Sequence, residues 1–244
     1  MTFLKSLQKV VTALAAAVIV FSVISFSGLG VATAKADTAL PADTDSSLQI
    51  DAKAAIAVDT NTGQILYAKN ADQALPVASM SKLMTAYMVL QAIHNGKLKW
   101  NQKVTPGKAA QEVSQDTTLS NVPLKEGHSY TVRELYQATL IYSANGAAMA
   151  LADAVGGTQK NFIDLARKEA KKMGLKDVEL YTANGLANGE VKDGKYPGAA
   201  DDAENKFSAK DMAILSQRLI KDYPEVLKTT KITRMKFNNG TDQI

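Results

Sequence analysis

The sequence predicts an α+β fold in which an antiparallel β-hairpin is followed by several amphipathic helices. The hairpin is indicated by two β-type segments, 54–59 and 64–69, which flank a turn of sequence Thr-Asn-Thr-Gly at 60–63. The helices are indicated by apolar residues that recur with a period of 3.6 residues from Leu83 onward. The 244-residue chain has room for one domain or two small ones.

The N-terminal residues 1–36 have the pattern of a secretory signal peptide. Basic residues precede a long apolar stretch at 10–31, and the sequence Ala-Lys-Ala at 34–36 is typical of a cleavage site. An uncleaved membrane anchor is the alternative, because the apolar stretch nearly reaches the length of a membrane span. We therefore expect an exported, extracytoplasmic protein with a polar linker at 37–48 and one folded domain at 49–244.

Composition excludes several classes of function. The formal charge of +4 includes three lysines of the signal segment, and without them 25 basic residues face 24 acidic ones. That balance gives no support to a nucleic-acid partner. The absence of cysteine excludes disulfides and a cysteine nucleophile. The two histidines, His94 and His128, lie far apart, so we predict no metal site, no cofactor and no Ser–His–Asp triad.

The residues that suggest chemistry are Ser79 and Lys82, at the start of a predicted helix that runs to about Gly96. Residues three apart lie on the same face of a helix. A buried lysine loses part of its affinity for a proton and can then deprotonate a neighbouring serine. The spacing alone is weak evidence, because Ser6 and Lys9 repeat it in the signal segment, and a helix cap followed by a surface lysine gives the same pattern.

The rest of the chain reads as a loop-rich segment followed by helices. Residues 99–130 are predicted to be irregular, with short β-type runs such as 103–105. A polar, glycine-rich loop is expected at 181–205, and residues 225–244 look β-like around Ile232 and Phe237. Four further helices are predicted at 131–142, 146–155, 158–173 and 208–221.

A second motif, Ser143-Ala144-Asn145, falls between two of these helices. Serine and asparagine are ordinary residues at a helix junction, which is the simplest interpretation. The catalytic interpretation is that the Ser143 hydroxyl relays a proton between Lys82 and a leaving amine. The Asn145 amide would then bind a substrate amide and anchor Lys82.

The order Ser-x-x-Lys followed by Ser-x-Asn is typical of penicillin-recognising serine acyl-transferases. From about residue 52 to its end, the sequence resembles the low-molecular-mass penicillin-binding proteins of the D-alanyl-D-alanine carboxypeptidase type. The resemblance implies a β-lactamase/transpeptidase-like fold, with a five-stranded antiparallel sheet flanked by helices and a mainly helical insert. The stretches that carry it are 59–67, 76–85, 140–148, 161–175, 184–186 and 208–213.

The resemblance also implies the roles of the site residues. Ser79 would be the nucleophile, Lys82 its base, Ser143 the proton relay and Asn145 a contact to substrate and lysine. The expected reaction removes the terminal D-alanine from peptidoglycan stem peptides that end in D-Ala-D-Ala, through an acyl-enzyme. The expected partners are those peptides and β-lactam antibiotics, and no metal or cofactor is required.

The sequence departs from the family pattern in its third motif, Lys-Thr-Gly. The nearest match is Lys228-Thr229-Thr230, which lacks the glycine, and the expected place of the motif falls after Ile244. We therefore expect an incomplete sheet and a C-terminally truncated chain. Membrane association is expected through an uncleaved signal or through a C-terminal tail that the chain lacks.

Three alternatives to a working carboxypeptidase stay open. The chain could be an inactive truncated fragment without the Lys-Thr-Gly strand, or a transpeptidase, which differs only in its acceptor. A serine β-lactamase is the third, although no convincing Glu-x-x-Leu-Asn sequence lies between Gly156 and Ser208.

Overall fold

The computed structural model of the protein describes residues 49–237. The predicted signal peptide at 1–36 and linker at 37–48 lie outside the described residues, and so does the segment 238–244. Within the described range, no helix combines the length and hydropathy that a membrane crossing requires.

The predicted hairpin is present. Strand β1 (Ala55–Val58) pairs antiparallel with β2 (Ile65–Lys69), and a bulge interrupts their register near the end of β1. In the turn, Asp59 Oδ1 accepts hydrogen bonds from the backbone N–H groups of Asn61 at 2.9 Å and Thr62 at 2.8 Å. This carboxylate stabilises the tight reversal that the turn sequence predicts.

The remaining strands are two residues long and pair over large sequence distances. β3 (Leu75–Pro76) pairs with β6 (Lys206–Phe207), and β4 (Lys103–Val104) pairs with β5 (Tyr130–Thr131). The described residues thus form three separate two-stranded sheets. The five-stranded sheet that the resemblance implies is incomplete in this part of the chain, as expected.

The helical core is built around α4, which packs against α1, α2, α3 and α5. Its first eight residues are all buried, and most of them are alanine or glycine. A Cβ on Gly146 would lie 2.5 Å from the carbonyl oxygen of Ala110, so the close approach of α2 requires a glycine there. The α-helices of the described range are α1 (Lys82–His94), α2 (Lys108–Ser114), α3 (Val132–Ile141), α4 (Asn145–Gly156), α5 (Gln159–Met173), α6 (Ala209–Asp222) and α7 (Val226–Thr230).

Side chains at the helix ends explain where several helices begin and stop. Thr131 forms a capping box with Glu134, and Thr158 and Ser208 accept hydrogen bonds from the first turns of α5 and α6. Gly174 ends α5 in the left-handed conformation, with φ of 82°. The predicted boundaries of α3, α5 and α6 therefore agree with the structure to within one or two residues.

The structure differs from the sequence prediction in two segments. Residues 108–114 form α2 within the stretch predicted to be irregular, because Ala110 and Val113 are buried. The prediction of β structure after residue 224 is wrong where the structure describes it: Val226–Thr230 is helix, and 231–237 contains no strand. Val226 is buried there, so tertiary packing outweighs its strand propensity.

We predict that Thr131→Ala lowers the free energy of unfolding by about 1 kcal/mol, because it removes the capping box of α3. Urea unfolding followed by circular dichroism measures the change. Thr117→Ala is the matched control, since Thr117 is exposed in a loop. Equal stability of the two variants would show that the capping box contributes nothing measurable.

Candidate active site

The serine and lysine of the first motif are in direct contact. Ser79 lies in a 3₁₀ turn at Ala78–Ser81, and Lys82 is the first residue of α1. Lys82 Nζ is 2.9 Å from Ser79 Oγ, which confirms that the three-residue spacing places both side chains together. Ser79 is exposed, whereas Lys82 is only 3% exposed. The hydroxyl is therefore open to solvent while its partner amine is buried.

Two further oxygen atoms surround the Lys82 amine. Its Nζ donates to Asn145 Oδ1 at 2.8 Å and to the backbone carbonyl of Asn184 at 2.8 Å. A neutral amine has two N–H groups and one lone pair. The two amide oxygens can accept both N–H groups, which leaves the lone pair directed at the Ser79 hydroxyl.

Burial lowers the pKa of Lys82 to about 7, from an ordinary value of 10.5. Within the described range, its hydrogen-bond partners are neutral oxygens, and no carboxylate pairs with it. No opposite charge in this set therefore offsets the cost of burying the charge of Lys82. A neutral Lys82 is available near neutral pH, where a general base works most efficiently.

Asn145 is held rigidly at the first turn of α4. Its Nδ2 donates to the carbonyl of Ser120 at 3.1 Å, and its backbone N–H donates to the same oxygen at 3.0 Å. The next residue, Gly146, donates its backbone N–H to Asn121 Oδ1 at 3.0 Å. These contacts orient the amide so that Oδ1 faces Lys82.

Ser143 lies at the predicted junction between α3 and α4, two residues before Asn145. It is half-buried and has φ of 56°, a left-handed conformation that is rare for serine and costs about 1–3 kcal/mol. Among the described residues, no hydrogen bond joins its hydroxyl to Lys82. The structure thus unites Ser79, Lys82 and Asn145 in one network, which within the described residues does not include Ser143.

Sequence analysis did not identify the backbone of residues 183–185 as part of the site. Besides the contact of Asn184 with Lys82, the Ala183 carbonyl accepts a hydrogen bond from Thr85 Oγ1 at 2.6 Å. Gly185, with φ of 86°, touches the turn that contains Ser79, because a Cβ there would lie 1.9 Å from the carbonyl oxygen of Ala78. An Asn-Gly pair in a polar loop was the available signal, but it indicates only a turn.

The turn before Ser79 is itself strained. Ala78 has φ of 44°, a left-handed conformation that an alanine rarely adopts. The carbonyl of this residue packs on Gly185, and the backbone N–H of Val77 donates to the carbonyl of Asn205 at 3.2 Å. These contacts from distant segments hold the strained turn and fix the position of the serine.

No group of three or more histidine, cysteine or acidic side chains is placed to hold a metal ion within residues 49–237.

Comparison with known proteins gives consistent matches over most of the chain. Residues 41–244 match the family model for D-alanyl-D-alanine carboxypeptidase, peptidase S11. The D-alanyl-D-alanine carboxypeptidase DacC of Escherichia coli is 37% identical over 207 residues, which cover 83% of this chain and 48% of DacC. The chain spans about half the length of the curated relatives it matches.

Solved structures give the same result. A peptidoglycan synthesis regulatory factor (PBP3) from Streptococcus pneumoniae superimposes with a TM-score of 0.76 and 41% identity, covering 81% of this chain and 54% of that one. Penicillin-binding protein D2 from Listeria monocytogenes, in its ampicillin-bound form, gives a TM-score of 0.64 and 32% identity, covering 81% and 72%. These neighbours confirm the predicted α+β, transpeptidase-like fold.

We predict that Gly185→Ala destabilises the protein by about 1–3 kcal/mol more than Gly198→Ala does. Both glycines have positive φ, so both variants bear the conformational cost, but only the Gly185 position meets backbone atoms within 4 Å. Urea unfolding of the two variants measures the difference. Equal stability would mean that the contact of Gly185 with the turn at 78–81 is not tight in solution.

Proposed function

This chain belongs to the D-alanyl-D-alanine carboxypeptidase family of serine peptidases, and from that premise we propose that it removes the terminal D-alanine of peptidoglycan stem peptides. The observation that carries the proposal is the contact between an exposed serine and a buried lysine of lowered pKa. An exposed hydroxyl can reach a peptide, and a buried neutral amine can take its proton.

The first step is acylation of Ser79. As the Ser79 oxygen attacks the carbonyl carbon between the two terminal D-alanines, its proton moves to the lone pair of Lys82. Positive charge on Lys82 then forms beside Asn145 Oδ1 and the carbonyl of Asn184, which stabilise it by hydrogen bonds at 2.8 Å. The C–N bond of the tetrahedral intermediate breaks and leaves an ester on Ser79.

The second part of the cycle returns the proton and clears the ester. We assign Ser143 the relay of the proton from Lys82 to the amine of the leaving D-alanine, because Ser143 precedes the Lys82 partner Asn145 by only two residues, just before α4. We assign Asn145 a contact with the substrate amide, since only one of its two N–H groups is used by Ser120. A water molecule then attacks the ester and releases the shortened peptide.

The same chemistry accounts for a β-lactam as an inhibitor. A Listeria relative binds ampicillin and is 32% identical to this chain. A β-lactam presents a carbonyl to Ser79 as the D-Ala-D-Ala bond does, and its ring opens to give the same kind of ester. Ampicillin and related compounds are therefore the second class of ligand that we propose.

The substrate determines where the protein works. Stem peptides of peptidoglycan lie outside the cytoplasm, so the proposal requires export, for which residues 1–36 are the proposed signal. Residues 37–48 would be a linker, and 49–244 would carry the catalytic function. Attachment to the outer face of the membrane would need either an uncleaved signal or a further segment.

We predict that Ser79→Ala abolishes covalent labelling by a fluorescent penicillin and release of D-alanine from a peptide ending in D-Ala-D-Ala. Ser81→Ala is the matched control, because Ser81 lies in the same turn but is buried, with no hydrogen-bond partner in the described range. Peptide mass spectrometry locates the adduct. Undiminished labelling of the Ser79 variant would contradict the assignment.

We predict that Lys82→Arg abolishes acylation as fully as Lys82→Ala, because a guanidinium keeps its proton at all accessible pH values. The loss should reach at least the ~10²–10⁴-fold that general acid–base groups typically contribute. In the wild type, the acylation rate should rise with pH until Lys82 is neutral, above about pH 7, and then level off. Stopped-flow acylation measures both effects. A fast arginine variant, or a flat pH profile, would rule out the base role.

A further inference from the structure

A small pocket lies away from Ser79, between Trp100, α3 and α7. Its volume is about 230 Å³. At roughly 30 Å³ for each water molecule, it holds only a ligand of several non-hydrogen atoms. The lining residues are Trp100, Arg133, Tyr136, Gln137, Glu225, Lys228 and Thr229.

One lining residue, Tyr136, contributes its aromatic ring to the wall of the pocket. Tyr136 is 1% exposed, and its hydroxyl makes no hydrogen bond within the described range. Burial and the nearby Glu225 carboxylate both raise the pKa of Tyr136, so its hydroxyl stays protonated. The hydroxyl oxygen has essentially no accessible surface, so a ligand in the pocket meets the ring of Tyr136 and not its hydroxyl.

Three side chains that line the pocket have hydrogen-bond donors without a partner in the described range. In residues 49–237, the side chains of Arg133, Gln137 and Lys228 make no hydrogen bond and no ion pair. Arg133 and Lys228 are exposed, and the Arg133 guanidinium stacks 4.7 Å from the centre of the Trp100 ring. The stacking fixes the guanidinium plane and leaves its N–H groups free for a planar, two-oxygen acceptor.

The charges select the kind of ligand. Two cations, Arg133 and Lys228, face one carboxylate, Glu225, which is already bonded to His94. One net positive charge suits a monoanion better than a dianion such as phosphate. The rings of Trp100 and Tyr136 pack edge to face, with their centres 5.2 Å apart. They provide an aromatic wall for a hydrocarbon group.

We propose that this pocket is a second ligand site, and that it binds a small organic carboxylate. The carboxylate lies between Arg133 and Lys228, and the hydrocarbon part of the ligand lies against the rings of Trp100 and Tyr136. The site is separate from the catalytic residues: His94, whose ring contacts Glu225, ends the helix that Lys82 begins. Binding of a carboxylate in this pocket requires no reaction at Ser79.

Trp100 is the only tryptophan of the chain, so intrinsic fluorescence reports on this pocket alone. The full chain is titrated with sodium acetate in place of sodium chloride at constant ionic strength. We expect a saturable change in tryptophan emission that chloride does not produce. A response that is absent or does not saturate overturns the proposal.

Variants test the individual contacts. Lys228→Gln should weaken acetate binding roughly tenfold, the loss typical of one charge-assisted hydrogen bond. Lys231→Gln is the matched control, because Lys231 is exposed nearby, carries the same charge and does not line the pocket. Equal affinity in the two variants overturns the proposal, since acetate would then respond only to general charge.

Discussion

The arrangement of the site depends on the burial of one amine, that of Lys82. Its neighbours are a hydroxyl and two amide oxygens, all neutral, so the site favours the neutral amine over the cation. The three partners come from three segments: the turn before α1, the start of α4 and the loop at 183–185. Each segment must therefore be placed correctly for the lysine to be buried without loss of its hydrogen bonds.

The helical core meets that requirement through the small side chains of α4. Because its buried face is mostly alanine and glycine, four other helices can approach it closely, and α1 is one of them. The first residue of α4 is Asn145, and the first residue of α1 is Lys82, so the packing of the two helices sets the distance between these side chains. Tight packing of the core therefore fixes the position of the Asn145 amide relative to Lys82.

Much of this could be predicted from sequence, because the signals are local. The capping residue Thr131, the cap at Ser208 and the spacing of Ser79 and Lys82 each act within one helical turn. The Asn184 contact could not be predicted, since any residue supplies a backbone carbonyl and only the folded loop directs it at Lys82. Strands β3 and β6 pair although they lie far apart in sequence. The strand propensity of a residue does not indicate which distant segment it pairs with.

The long-range contacts of Lys82 and of the turn at Ala78–Ser81 have a consequence for the order of folding. Lys82 bonds to residues 63 and 102 positions later in the chain, and Val77 bonds to the carbonyl of Asn205. Closing such loops costs entropy before any contact forms, which makes these contacts slow to form. A nascent chain that has not yet reached residue 184 lacks a hydrogen-bond partner of Lys82, and one that has not reached residue 205 lacks the contact of Val77, so the arrangement around Ser79 is complete only after most of the described domain has been synthesised.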